Sequence, residues 1–220
     1  MYRTPVRYEL VIFDNDGVLV DSEPISNRIL ADYLTELGHP TTFEDSVRDY
    51  MGAAVHRVHE MVRERSGQAL PDGFDDELHA RVFAAFAKEL AAVAGVAVVL
   101  DKLAAEGAAY CLASSGTHER IRVALRTTGL YDRFGEEHIF SAQDVGRGKP
   151  APDLFLHAAR TMGVPPERCA VVEDSPLGVQ AARAAGMDVY GFTAMTPPEK
   201  LADATALFGT MAELPALLLG

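Results

Sequence analysis

Short apolar runs alternate with helical segments from Gly95 to Gly191, and this alternation limits the fold more than any other feature of the chain. The runs are Ala109–Ala113, His138–Phe140, Cys169–Val172 and Met187–Gly191, and Leu10–Phe13 precedes them all. Between them, residues 98–106, 117–128, 152–162 and 177–185 carry helical spacing. Strands this short, apolar throughout and separated by helices, imply a parallel sheet covered on both faces, hence an α/β, doubly wound core. Residues 22–92 have a different texture. Ile29, Leu30, Tyr33, Leu34 and Leu37 recur at helical spacing and stop at Gly38; Val55, Val58 and Val62 mark a further helix, and so do Leu78, Val82, Phe86 and Leu90. Thr42–Asp45 has the composition of a helix start. The expected organisation is therefore a core of residues 1–20 and 95–220, interrupted at 21–94 by an all-helical insert. The last segment, Pro197–Gly220, is expected to hold turns and one or two terminal helices.

Composition narrows the function classes. At 220 residues, with 48% hydrophobic and 24% charged residues, the chain can bury a substantial core. A formal net charge of -12 argues against nucleic-acid partners, which need a basic face. An anionic substrate would have to be drawn by local positive charge from a metal, a lysine or helix N-termini. Cys111 and Cys169 lie inside apolar runs, as buried free thiols do. The first ten residues lack the apolar stretch of a signal peptide, and no run approaches the ~20 apolar residues of a membrane span. A cytoplasmic protein without membrane contact, monomeric by default, is expected.

In open parallel sheets ligands bind at the carboxyl ends of the strands. Leu10–Phe13 ends in Asp14 and Asp16, followed at once by Gly17. On a strand, positions two apart point to the same side, so the two carboxylates are expected to converge. Their mutual repulsion calls for a proton or a cation, and a hard divalent ion that keeps positions for water and phosphate is the natural remedy. The other strand ends offer Ser114–Ser115–Gly116, then Lys149 in the loop Gly146–Pro150, then Glu173–Asp174. Together these supply a nucleophile, an acid, hydroxyl and amide donors, a cation and further metal ligands, which is what phosphoryl transfer requires. Other motifs fail on spacing. Val18 and Leu19 occupy positions an EF-hand needs for a ligand and a glycine, no glycine stands two before Ser114 or Ser115, and Pro150 replaces the hydroxyl residue of a P-loop. His56, His59 and Glu60 share a helix face but make no metal cage, and are read as solvated or substrate-facing.

Four motifs in order, FDNDGVLVDSE, LASSG, GKPAPD and VVEDSPLGVQAARAAGM, make nearly the whole chain resemble the haloacid dehalogenase superfamily, in its subgroup of phosphatases and mutases with a helical cap. The resemblance implies a Rossmann-like core with an inserted cap. It further implies a Mg2+-dependent phosphatase acting on a small phosphorylated metabolite through an aspartyl-phosphate intermediate. Asp14 would be the nucleophile and Asp16 the general acid and base. Mg2+ would be held by Asp14, the backbone carbonyl of Asp16 and Asp174, with Glu173 beside them. Ser114, with the amides of Ser115 and Gly116, would bind the transferring phosphoryl group, Asn15 would add a backbone contact, and Lys149 would neutralise that group and Asp14.

The insert is expected to act as a lid hinged near Leu19–Glu23 and Ala92–Gly95. Ser22, Ser26 and Asn27 are candidate substrate contacts, and Met51–Val55 is a candidate specificity loop. A β-phosphoglucomutase-like mutase shares the whole core. Such enzymes use a hinge histidine and a lid arginine, and Ser26 and Val55 stand at the positions that would align with them. A phosphoaspartate signalling module, of a different class, carries similar polar groups but is about half as long and has no lid.

Overall fold

The computed structural model describes residues 7–51 and 55–219. The chain divides into two compact units, residues 1–20 with 91–220 and residues 21–90. The first is built on a sheet of six strands among the described residues: β1 (Leu10–Phe13), β2 (Ala109–Ser114), β3 (Ile139–Ser141), β4 (Cys169–Glu173), β5 (Asp188–Phe192) and β6 (Ala206–Phe208). Their order is β3-β2-β1-β4-β5-β6 and every pairing is parallel. The chain builds outward from β1 through β2 to β3, then returns to lay β4 on the other side of β1. The strand order thus reverses at the β1/β4 boundary, the place where doubly wound sheets open a crevice.

The second unit is helical: α1 (Glu23–Glu36), α2 (Phe43–Tyr50), α3 (Val55–Ser66) and α4 (Phe74–Glu89). Its apolar stripe buries Leu30, Leu34, Val58, Val62, Phe74, Leu78, Val82 and Phe86. Tyr33 stacks on Phe74 with ring centroids 5.0 Å apart, and the Arg81 guanidinium covers the outer face of Tyr33 at 4.2 Å. Thr42 caps α2 in a reciprocal box. Its hydroxyl accepts the Asp45 amide at 3.1 Å, and the Asp45 carboxylate accepts the Thr42 amide at 3.2 Å. The helix start read at Thr42–Asp45 therefore has its physical cause in two satisfied amides.

In the first unit, Val20 bridges Ala92 in antiparallel fashion and the Val93 amide donates to the Leu19 carbonyl at 3.0 Å. The segments expected to hinge are thus hydrogen-bonded to each other. The remaining helices are α5 (Val96–Glu106), α6 (His118–Thr127), α7 (Tyr131–Phe134), α8 (Asp153–Thr161), α9 (Pro176–Ala184) and α10 (Leu214–Leu219). On one sheet face Leu10, Ile12, Cys111, Ala113 and Val171 pack under Leu154, Phe155 and Ala158 of α8 and Val179 and Ala182 of α9. Helices α5, α6, α7 and α10 complete the unit, with α5 packed on β2 and α10 on α5. Both cysteines are free and buried. Among the described residues no helix is long and apolar enough to cross a membrane.

The C-terminal segment departs from expectation. Besides the terminal helix α10 it contributes β6, which extends the sheet to a sixth strand. Three residues are too few for an alternation to be read, and Leu207 is left 40% exposed at this edge. Its seat depends on Gly191: a Cβ there would stand 2.7 Å from Leu207 Cδ2.

The capping box gives a direct check. Replacing Thr42 by Ala removes the acceptor for the Asp45 amide and should lower stability by about 1 kcal/mol. Urea denaturation followed by far-UV circular dichroism measures it.

Candidate active site

Register places the central groups. Phe13 is level with Leu112 on one side and Val172 on the other, so Ala113, Asp14 and Glu173 form the next row across the sheet. Parallel neighbours in one row point to one face, and here that is the face buried under α8 and α9. Two carboxylates therefore stand side by side above an apolar core. Lys149 reaches across the row. Its Nζ lies 2.5 Å from Asp14 Oδ1, 2.6 Å from Glu173 Oε1 and 3.4 Å from the Ala113 carbonyl, with the Phe155 ring centroid 5.0 Å away. All three ionisable side chains are buried, Glu173 completely.

Each charge is intelligible only with the others. Burial pushes the Asp14 carboxyl up to about 7; the Lys149 ammonium opposes this and the Glu173 charge reinforces it. Burial also works against the ammonium of Lys149, yet the facing carboxylates of Asp14 and Glu173 outweigh it and hold its pKa above the usual lysine value. Glu173 is fixed from its other oxygen: Oε2 accepts the Ser175 amide at 2.8 Å and the Ser175 hydroxyl at 2.9 Å. Ser175 in turn caps α9 by accepting the Gly178 amide at 3.0 Å. Gly178 leaves the space this requires, since a Cβ there would stand 1.7 Å from Glu173 Oε1.

Carboxylate oxygens of Asp14, Glu173 and Asp174 come within 4.8 Å of one another. An all-oxygen, acidic donor set suits a hard divalent cation, so these residues fit Mg2+. Both Glu173 oxygens are engaged, by Lys149 and Ser175, and Lys149 also holds one oxygen of Asp14. Asp174 lies against the turn after β1. A Cβ on Gly17 would stand 2.0 Å from Asp174 Oδ2, and Gly17 also takes φ +76°, so glycine is required there twice over.

Asp16, expected to converge with Asp14, stands in the turn that follows β1. β1 ends at Phe13, so the two-residue strand period does not govern Asp16. Its carboxylate instead pairs with Arg120 on α6, Nη2 to Oδ1 at 2.9 Å, while the Asn15 side-chain amide approaches Oδ2 at 3.3 Å. Asp14 still feels the Asp16 charge, though less than those of Lys149 and Glu173. Beyond β2, the buried Ser114 hydroxyl accepts the Gly116 amide at 3.0 Å, and Ser141 at the end of β3 donates to the Gly116 carbonyl at 2.6 Å. This pins the turn in which Ser115 is exposed.

Asp14, Asp16, Asn15, Ser114, Ser115, Gly116, Lys149, Glu173 and Asp174 all belong to the α/β unit, at the carboxyl ends of β1, β2 and β4 or in the loop after β3. The helical candidates fare differently. Asn27 is buried, its amide donating to the Glu23 carbonyl at 2.9 Å and its oxygen accepting Ser46 Oγ at 2.9 Å, so it ties α1 to α2. Ser22 is also buried, and Ser26 is partly exposed. In the Met51–Val55 loop, residues 52–54 lie outside those described. His59 pairs with Asp75 at 2.6 Å, and Arg147 forms an exposed pair with Asp153. The sequence reading missed Arg120, Ser141, Ser175 and Gly178. The last two lie inside a recognised motif, whereas Arg120 and Ser141 carried no signal of their own.

The family model for haloacid dehalogenase-like hydrolases matches residues 8–186. A 6-phosphogluconate phosphatase of Escherichia coli K12 is 32% identical over 86% of this chain and 84% of its own length. Among solved structures, a haloacid dehalogenase-like protein of Agrobacterium tumefaciens C58 superposes with a TM-score of 0.88 at 35% identity, covering 96% of this chain and 97% of that one. A HAD family hydrolase of Deinococcus radiodurans R1, determined with bound phosphate and sodium, gives 0.84 at 33% identity, covering 97% of this chain and 96% of that one.

The packing around Glu173 yields a prediction. Gly178→Ala must displace the Glu173 carboxylate and unpair it from Lys149, so it should destabilise by roughly 3–5 kcal/mol. Gly146→Ala meets nothing within 4 Å and should stay within about 0.5 kcal/mol of the parent. Equilibrium urea unfolding of the two variants makes the comparison.

Proposed function

This chain belongs to the haloacid dehalogenase-like hydrolase family and is a phosphatase, and we propose that it hydrolyses a small phosphorylated metabolite of the sugar-phosphate type through a phosphorylated Asp14. The observation that carries this reading is the row Ala113–Asp14–Glu173 with Lys149 laid across it. A buried carboxylate at a strand end, with a lysine on one oxygen, is built for nucleophilic attack on an electron-poor centre while the lysine offsets the charge brought in.

On this reading an Asp14 oxygen attacks phosphorus in line as the bond to the leaving oxygen breaks. Asp16 passes its proton to that oxygen and the alcohol departs. Asp16 then takes a proton from water, which attacks the same phosphorus and frees inorganic phosphate, restoring the Asp14 carboxylate. The Ser114 hydroxyl, oriented by the Gly116 amide it accepts, and the Ser115 amide hold the phosphoryl oxygens, and Asn15 adds a backbone contact. When bound, Mg2+ held by Asp14, Asp174 and the Asp16 carbonyl would supply further charge neutralisation for the phosphoryl oxygens. The helical segment 21–94 is taken as the insert that sets specificity. Hydrolysis is favoured over isomerisation because Ser26 and Val55 lack the imidazole and guanidinium that a sugar phosphomutase uses there.

Phosphate release across sugar phosphates, sugar-alcohol phosphates, phosphogluconate and phosphoglycolate, with Mg2+ present, tests the reading. Asp14→Asn should reduce turnover on the order of 10^4-fold or more, and chelation should abolish it reversibly. Full activity in either case would refute it, and a need for a bisphosphate activator with isomerised product would assign a mutase. Proton and cation compete for Asp14, whose carboxyl is raised by burial to about 7. Below that pH the protonated form prevails, so Mg2+ affinity measured calorimetrically should fall by up to about tenfold per pH unit on acidification.

A further inference from the structure

The four strand-end motifs omit one side chain that reaches their centre. Arg120 sits in the first turn of α6, its amide held by the Thr117 hydroxyl at 3.2 Å. Its methylenes pass over Gly116, where a Cβ would stand 3.5 Å from Arg120 Cδ and 3.4 Å from Ser114 Oγ. The guanidinium then meets Asp16 Oδ1 at 2.9 Å. Asp16 Oδ2 faces the Asn15 amide at 3.3 Å, so each carboxylate oxygen has its own donor. The two charged side chains are 27% and 21% exposed, more sheltered than a surface pair. Even so, partly solvated pairs add little to stability, and what such a pair supplies is a defined orientation.

Two loops are joined by this contact. Asp16 comes from the turn after β1, and Arg120 from the helix that begins just beyond the Ser114–Gly116 turn, the turn read above as the phosphoryl-binding element. We propose that Arg120 is a positioning residue for the acid–base step: it locks the Asp16 carboxyl to the phosphoryl-binding turn, fixing the distance between the proton donor and the oxygen that leaves phosphorus. This proposal rests on the reading of Asp16 as the general acid and base, and deepens it.

Leaving-group sensitivity separates the roles. Phenyl phosphate and p-nitrophenyl phosphate share a ring but differ in how much the departing oxygen needs a proton. If Arg120 aims Asp16, Arg120→Met should lower kcat/KM for phenyl phosphate by about ten- to a hundredfold and for p-nitrophenyl phosphate by only about two- to threefold. Asp16→Asn should widen the same ratio further, and adding Arg120→Met to Asp16→Asn should cost little more, because the arginine acts through that carboxyl. Arg120→Lys keeps the charge without the planar fork, preserves the fold if the methionine variant does not, and should give an intermediate ratio. Equal losses on both substrates in the Arg120 variants, or losses that simply multiply with Asp16→Asn, would overturn the proposal while leaving Asp16 in its role. An unchanged ratio in Asp16→Asn itself would overturn the acid reading first.

Discussion

A lysine ammonium shared by two buried carboxylates is the contact on which the site depends. Asp14 and Glu173 are forced side by side by the register of β1 with β4, on a face roofed by α8 and α9. Left alone, the pair would pay a desolvation and repulsion cost that neighbouring apolar groups cannot offset. Lys149 resolves that conflict from a loop outside both strands. Its aliphatic stem and the Phe155 ring keep the arrangement apolar around the charges, which strengthens each interaction. The result is a carboxylate whose position is set by the sheet and whose charge is balanced by a side chain more than a hundred residues distant in sequence.

Charge balance extends the same logic outward. Asp14, Glu173 and Asp174 bring three formal negative charges and Lys149 one positive charge, while Asp16, when ionised, is offset by Arg120. The formal remainder of two negative charges matches one divalent cation, in a protein whose overall charge of -12 gives an anion no long-range welcome. Attraction of a phosphorylated substrate therefore depends on local positive groups at the strand ends. The sheet concentrates them where its strand order reverses, which is also where the donors from β1, β2 and β4 can meet.

Much of this was legible in the sequence because it follows from period and punctuation. Continuous apolar runs separated by helices gave the parallel sheet, and each strand end could be read for chemistry. Glycines gave less away. Gly17 and Gly178 look like ordinary turn and helix residues, yet each is small so that a carboxylate from elsewhere can lie against it. Short elements were also opaque: β6 has only three residues, and its pairing depends on Gly191 rather than on any pattern of its own. Arg120 was invisible for another reason. An arginine in a helix's first turn reads as a surface charge, and only the fold reveals that it crosses Gly116 to Asp16. Asn27 was opaque in another way, since a polar residue early in the helical insert reads as a substrate contact and gives no sign of the bond to Ser46 that joins α1 to α2.

The central claim is that Asp14 itself receives the phosphoryl group, and the stereochemical course at phosphorus tests it most directly. With a substrate whose phosphoryl group is made chiral by isotopic substitution, two successive in-line displacements, first by Asp14 and then by water, give net retention of configuration, and retention is the predicted result. Net inversion would mean that water attacks the substrate directly, and would contradict a covalent role for Asp14.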